Sequence, residues 1–134
     1  MKFLKKSKLL VCALFITTIA VAQNKPASPA AVTTGNINGA TISINYSSPS
    51  VKGRVIWGEL VPFGKIWRAG ANAATTIESD KEITIEGKKL PAGQLRVVVK
   101  QKIVETSTEN LVYTIEKNSI VLSWEKWNIP FSVK

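Results

Sequence analysis

Short runs in which apolar and polar residues alternate most constrain the fold of this chain. Because successive side chains of a β-strand point to opposite faces, strict alternation indicates a strand with one buried face. Such runs recur between turn residues, and after residue 22 no segment has a convincing helical period. The sequence therefore predicts an all-β fold, a small antiparallel β-sandwich or a partly open barrel. The residues predicted to share strand faces are Ala40, Ile42, Ile44 and Tyr46; Ile83 and Ile85; Leu95, Val97 and Val99; Leu111, Tyr113 and Ile115; Ile120, Leu122 and Trp124; and Trp127, Ile129, Phe131 and Val133.

Three local features refine this prediction. Pro130 cannot donate to a sheet ladder, so the last strand is expected to lie at an edge or to be locally irregular. In an unbroken strand Trp124 and Trp127 would lie on opposite faces, and at least one would be exposed or at an interface. A turn at residues 125–126 would remove that requirement. Residues 73–79 are rich in β-branched side chains and are predicted to form a strand.

Residues 1–22 are predicted to be a secretory signal peptide. Four lysines precede an uncharged run of 14 residues, Leu9 to Ala22, which is shorter than the roughly 20 residues of a typical membrane span. The segment 20–22, Ala-Val-Ala, is a small-x-small cleavage site. We therefore expect a mature chain that begins at Gln23, is periplasmic or secreted, and has no membrane span after cleavage. An uncleaved membrane anchor is the alternative.

The remaining chain is predicted to divide into a lead and one domain. Residues 23–38 are rich in Pro, Ala, Ser, Thr and Asn and are predicted to be flexible. Residues 39–134 are predicted to form a single β domain, of a size that buries a modest core.

Cysteine and histidine limit the chemistry. The one cysteine, Cys12, lies in the predicted signal peptide, and the chain has no histidine. Disulfides, thiol nucleophiles, histidine-dependent triads and histidine-containing zinc sites are therefore excluded from the mature chain, and neither a cofactor nor a metal is expected. The basic residues after the signal peptide are dispersed, whereas nucleic-acid binding needs them clustered on one face. No nucleic-acid partner is expected.

Two arginines are candidates for ligand binding. Arg54 and Arg68 flank a stretch dense in glycine and tryptophan. A guanidinium can hold a carboxylate or a phosphate through paired hydrogen bonds. The alternative, which the sequence favours equally, is that each arginine bonds loop carbonyls or Glu59.

Three further residues of this stretch are ligand-binding candidates. Trp57 and Trp67 could stack on a sugar or an aromatic ligand, although large aromatic side chains more often pack in the core. Asn72 could orient a ligand, although capping the turn before the next strand is the commoner role.

Carboxylates provide the alternative of an enzyme. Glu59 with a partner near Glu78 could in principle hydrolyse a glycosidic bond. Glu78, Asp80 and Glu82 could bind calcium weakly, but a solvated turn accounts for them as well. No catalytic signature is present, so no catalytic residue is assigned and enzyme activity is the less favoured prediction.

The same region resembles a known family. The stretch YSSPSVKGRVIWGELVPFGKIWRAGANAATTI, followed by ITIEGKKLPAG, is similar to the domain of unknown function 2911 family, exported proteins found mainly in Bacteroidota. The resemblance implies an exported β-rich domain and no particular reaction. The family's hallmark residues fall on Tyr46, Ser47, Pro49, Gly53, Arg54, Gly58, Leu60, Val61, Pro62, Trp67, Arg68, Gly70, Ala71 and Asn72, and then on Gly87, Leu90, Pro91, Ala92 and Gly93.

The chain departs from that family after Gly93. The resemblance implies that a segment long enough for two strands is missing before the segment that begins at Leu95. Unpaired strands would then lose ladder partners. Either the remaining strands re-pair, or another chain fills the gap, or this copy is degenerate and has no function.

The sequence as a whole favours a non-catalytic binding or interaction module of the cell envelope. The predicted ligand surface is the segment 54–72, and the predicted partner is a small ligand, a glycan or an envelope protein.

Overall fold

The computed structural model describes residues 25–96 and 103–134. Within these ranges the chain is all-β, and its strands pair antiparallel in sheets that are not closed into a barrel, so the predicted fold class is confirmed. No helix in these ranges is long and apolar enough to cross a membrane. The predicted signal peptide and the centre of the predicted 94–104 strand lie outside the described residues. The strands are β1 (Ala30–Ile37), β2 (Ala40–Ser47), β3 (Thr76–Ser79), β4 (Ile83–Ile85), β5 (Lys88–Leu90), β6 (Gly93–Arg96), β7 (Ile103–Ile115) and β8 (Ser119–Ser132).

Strand β1 occupies half of the segment 23–38, which was predicted to be a flexible lead. β1 and β2 form an antiparallel hairpin in which Ile37 pairs with Ala40. Asn38 and Gly39 make the turn with φ values of 51° and 80°, the positive values that an Asn-Gly pair supplies in two-residue hairpins. Composition alone indicated flexibility, but this turn pairs the residues before it with β2.

Strand β2 lies inside a four-stranded sheet of order β1-β2-β3-β6. Its predicted face, Ala40, Ile42, Ile44 and Tyr46, is buried throughout, which confirms the alternation. On its other edge β2 pairs with β3, whose four residues are the end of the predicted 73–79 strand. Residues 73–75 belong to the preceding loop.

Strands β7 and β8 form a second antiparallel sheet. Leu111, Tyr113, Ile120 and Leu122 are almost completely buried, as the alternation predicts. The two sheets contact each other where the Tyr46 and Tyr113 rings meet edge to face, with their centroids 4.8 Å apart. The core therefore lies between β2 and the β7–β8 pair.

A bulge interrupts the alternation of β8. Glu125 has a φ of 52°, and the register of the β7–β8 pairs shifts beside it. A residue in this left-handed conformation turns the strand, so the side chains after it do not continue the alternation of those before it. Trp124 and Trp127 therefore both pack against Trp57. The sequence left open an unbroken strand with the two tryptophans on opposite faces, or an irregularity at residues 125–126; the structure has the irregularity.

The end of β8 is tied to the small β4–β5 hairpin. The backbones of Thr84 and Lys134 exchange hydrogen bonds of 2.7 and 2.9 Å, and Val133 forms a bridge with Ile85. Pro130 lies beyond the Ile103–Trp127 pair. In the described part of the chain, Pro130 thus lies in a stretch of β8 beyond the last residue that pairs with β7.

Candidate functional site

The β2–β3 loop, residues 48–75, carries every predicted ligand-binding residue. Its central anchor is the carbonyl of Ala69, which accepts hydrogen bonds from the Tyr113 hydroxyl at 2.8 Å and from Thr75 Oγ1 at 3.0 Å. Ala69 and Thr75 are buried, and Ala69 has a φ of 55°. A buried carbonyl with two donors is costly to release. The loop is therefore fixed to β7 at Ala69, in addition to the hydrogen bonds that join its first residues, Ser48 and Pro49, to Leu111.

Burial of the anchor changes the acidity of Tyr113. Desolvation disfavours the phenolate, and this burial raises the pKa of Tyr113 well above its usual range. The hydroxyl therefore stays protonated, and remains a donor to Ala69, at pH values at which an exposed tyrosine would already ionise.

Replacing Tyr113 with phenylalanine should lower the free energy of unfolding by about 0.5–1.5 kcal/mol, because it removes one of the two donors to the Ala69 carbonyl. It should also weaken the alkaline loss of stability. Above about pH 10 the unfolded tyrosine ionises while the folded one stays protonated, so wild-type stability falls as pH rises through that range. Urea titrations of both proteins from about pH 9 to pH 11 measure the difference. Equal pH slopes would contradict this account of Tyr113.

All four tryptophans of the chain meet in one cluster, the tryptophan cluster: Trp57, Trp67, Trp124 and Trp127. Trp57 stacks on Trp127 with ring centroids 4.9 Å apart and meets Trp67 edge to face at 5.5 Å. Trp67 stacks on Trp124 at 5.8 Å. The Trp57 indole N–H also donates to the Trp124 carbonyl at 3.3 Å. Trp57 is thus part of the core, while Trp67 is half-buried at the border of the cluster.

A cavity of about 240 Å³, the loop cavity, lies beside this cluster. Three of the predicted site residues, Arg54, Trp67 and Arg68, line it. Trp57 and Asn72 do not. The complete lining is Ser28, Pro49, Arg54, Leu60, Val61, Trp67, Arg68, Gly70, Ala71 and Trp124.

Both arginines bond loop carbonyls, one of the two roles that the sequence allowed. Arg54 donates from Nε to the Val51 carbonyl at 3.0 Å and from Nη2 to the Ser50 carbonyl at 2.6 Å. Arg68 donates from Nη1 to the Asn72 carbonyl at 2.6 Å. Both side chains are nevertheless exposed, and both line the loop cavity, so the structural role leaves ligand binding open to them.

Asn72 joins the loop to the chain before β1. Its φ is 55°, a value that asparagine tolerates better than most residues. Its Nδ2 donates to the Ser28 carbonyl at 3.3 Å, and Ser28 itself lines the loop cavity. Asn72 is therefore placed to position the cavity wall.

The sequence did not identify Ser28 and Trp124 as part of a site. Ser28 belongs to the segment predicted to be flexible, and Trp124 reaches the cavity because β8 returns beside the loop. For Ser28, the Asn-Gly turn after β1 could have indicated that the preceding segment is ordered. For Trp124, no local pattern connects residue 124 with residue 68.

The carboxylates of the hydrolase alternative lie elsewhere. Glu59 and Glu78 are exposed, and neither lines the loop cavity. Within residues 25–96 and 103–134, no group of three or more Asp, Glu, His or Cys side chains is arranged to hold a metal ion. The two carboxylates of the hydrolase alternative therefore lie outside the loop cavity.

Comparison with known proteins agrees with the resemblance seen in the sequence. Neither the curated proteins nor the solved structures gave a match to this chain. A family profile matches residues 28–97, which include β1, the whole β2–β3 loop and every predicted ligand-binding residue. This match covers just over half of the chain, so the protein belongs to the family described as Protein of unknown function (DUF2911).

Proposed function

We propose that this protein is an exported, non-catalytic binding module of the cell envelope whose ligand occupies the loop cavity. The observation that carries the proposal is the lining of that cavity, where Arg54, Trp67 and Arg68 come together around about 240 Å³. Concave sites that combine apolar walls with a few placed polar groups are the usual form of small-ligand sites. Export to the periplasm or the medium is supported by the signal-peptide pattern of residues 1–22.

The chemistry of the lining supports binding rather than catalysis. Its side chains with polar atoms are Ser28, the two arginines and the two tryptophans. An arginine stays protonated in proteins, so it stabilises charge but does not exchange protons. General acid–base catalysis needs a group whose pKa lies near the working pH, such as histidine or a perturbed carboxyl group. The described lining offers neither.

The hydrogen bonds of the loop also favour a binding role. Arg54 is held by two carbonyls and Arg68 by one, and hydrogen bonds to the carbonyl of Ala69 fix the backbone next to Arg68. Side chains that are already positioned lose less conformational entropy when a ligand binds. The cavity is thus largely formed before any ligand arrives.

A leucine at position 71 tests the proposal, because Ala71 lines the cavity and a larger side chain there would fill part of it. Four probes cover the chemical classes: glucose, inorganic phosphate, phenylacetate and phenylacetamide. In ¹H–¹⁵N NMR titrations of the wild-type protein, we expect at least one probe to shift the amide signals of the lining residues. Ala71→Leu should lower the affinity for that probe at least about tenfold, which corresponds to a loss of roughly 1.4 kcal/mol of binding free energy.

Ala74→Leu is the matched control, since Ala74 is exposed and does not line the cavity. It should bind the probe as the wild type does. The proposal fails if none of the four probes binds, or if the two leucine variants weaken binding equally.

A further inference from the structure

The charge of the loop cavity points to the class of its ligand. Arg54 and Arg68 both line it, and no aspartate or glutamate belongs to the lining. Among the described residues the ion pair present is Lys89–Glu82, so neither cavity arginine has its charge neutralised by a neighbouring carboxylate. Two fixed positive charges without a counter-charge favour an anion.

Both guanidiniums keep donors available for such an anion. The bonds of Arg54 use Nε and Nη2, which leaves its Nη1 amino group. The bond of Arg68 uses Nη1, which leaves its Nη2 amino group and its Nε. Arginine matches the two oxygens of a carboxylate especially well, because its donors are planar and rigidly spaced. The carbonyl bonds therefore hold the arginines in place without consuming them.

The other walls of the cavity select against a simple inorganic ion. Leu60, Val61 and Trp67 contribute apolar surface, which a hydrated ion does not use. Trp124 also lines the cavity; its indole N–H, which is a donor only, is buried and has no hydrogen-bond partner among the described residues. The side chains thus provide donors and apolar surface, and Ser28 is the single side chain that can also accept.

The size of the cavity limits the ligand further. Its volume of about 240 Å³ is below the roughly 300–1,000 Å³ of sites for drug-sized molecules. A single ring with a short acidic substituent is of the right order. Trp67 is half-buried with part of its surface free to contact such a ring.

Building on the proposed function, we infer that the loop cavity binds a small organic carboxylate. Its carboxylate is held between Arg54 and Arg68, and its apolar ring lies against Trp67. Phosphate and neutral sugars are the competing classes, and phenylacetate and its uncharged isostere phenylacetamide separate charge from shape.

NMR titration of the wild-type protein with all four probes tests the class. We expect phenylacetate to bind at least about tenfold more tightly than phenylacetamide, since hydrogen bonds to charged groups are about twice as strong as neutral ones. Raising the NaCl concentration should lower the affinity for phenylacetate and leave the affinity for phenylacetamide unchanged, because salt screens charge–charge attraction. This comparison needs no substitution, so it does not depend on how a variant folds.

Arg68→Met and Arg54→Met should each reduce the preference for phenylacetate over phenylacetamide. Lys65→Met is the control: Lys65 is an exposed cation of the same loop that does not line the cavity. The inferred class is wrong if phenylacetamide, glucose or phosphate binds at the cavity as tightly as phenylacetate, or if Lys65→Met has the effect of the arginine variants; the proposed binding function then stands. If none of the four probes binds, both proposals fail.

Discussion

Replacing Trp124 with alanine should lower the free energy of unfolding by about 3–5 kcal/mol, the range for truncating a large aromatic side chain in a core. Trp124 is 2% exposed. It stacks on Trp67 and meets Trp57 edge to face, so its loss opens a void between β8 and the β2–β3 loop. A small domain has roughly 5–15 kcal/mol of stability in all, which makes this loss a large fraction of the total. Denaturant titration followed by far-ultraviolet circular dichroism measures it.

Trp127→Ala is the matched control, because it makes the same change in the same cluster at a half-buried position. We expect Trp127→Ala to lower the free energy of unfolding clearly less than Trp124→Ala does, since less buried surface is lost. If the two variants are equally stable, Trp124 does not have the central packing role that its burial indicates.

Replacing Gly35 with alanine should lower the free energy of unfolding by about 1–3 kcal/mol, the usual cost of overpacking. An added Cβ at residue 35 would lie 2.7 Å from Ile115 Cγ2 and 2.8 Å from Ile115 Cβ, so β1 and β7 would have to separate. Without that contact the expected sign is opposite, because alanine in an element interior is favoured over glycine by roughly 0.5–1 kcal/mol. The sign of the change therefore tests whether β1 packs on β7.

Val32→Ala controls for the general effect of alanine in β1, since Val32 is 62% exposed. It should change stability by less than about 0.5 kcal/mol, as most surface substitutions do. In a protein that carries Ile115→Ala, the Cγ2 atom is absent. Adding Gly35→Ala to that protein should therefore lower the free energy of unfolding by less than Gly35→Ala does in the wild type. A stabilised Gly35→Ala protein would mean that residues 30–37 do not pack as a strand against β7.

Much of the fold could be predicted from the chain because period-two alternation is a local signal. Each residue of the pattern in β2 and in the first half of β8 reports its own face, and the burial of Ile42, Ile44, Ile120 and Leu122 agrees with it. Strand β1 was missed because its residues show little alternation of polarity. Its order comes from a turn at its end and from pairing with β2.

The candidate site could be predicted only in part, for a related reason. Arg54, Trp67 and Arg68 lie close together in the sequence, and their residue types indicated a ligand surface. Their surroundings depend on contacts between distant segments: Ser28 precedes β1, and Trp124 lies in β8. The anchor of the loop also joins residues far apart, since the Tyr113 hydroxyl donates to Ala69. No pattern within the loop identifies those partners.

The bulge at Glu125 makes the length of β8 as important as its composition. Before it, the buried residues have even numbers, Ile120, Leu122 and Trp124; after it, they have odd numbers, Ile129, Phe131 and Val133. The parity of the buried positions thus reverses between Trp124 and Ile129, and the inward side chains after that point depend on the reversal. Adding or removing one residue near position 125 would present the apolar side of the C-terminal segment to water while leaving all its amino acids in place. In this segment, the number of residues between Trp124 and Ile129 therefore determines which side chains face the core, and no single side chain determines it.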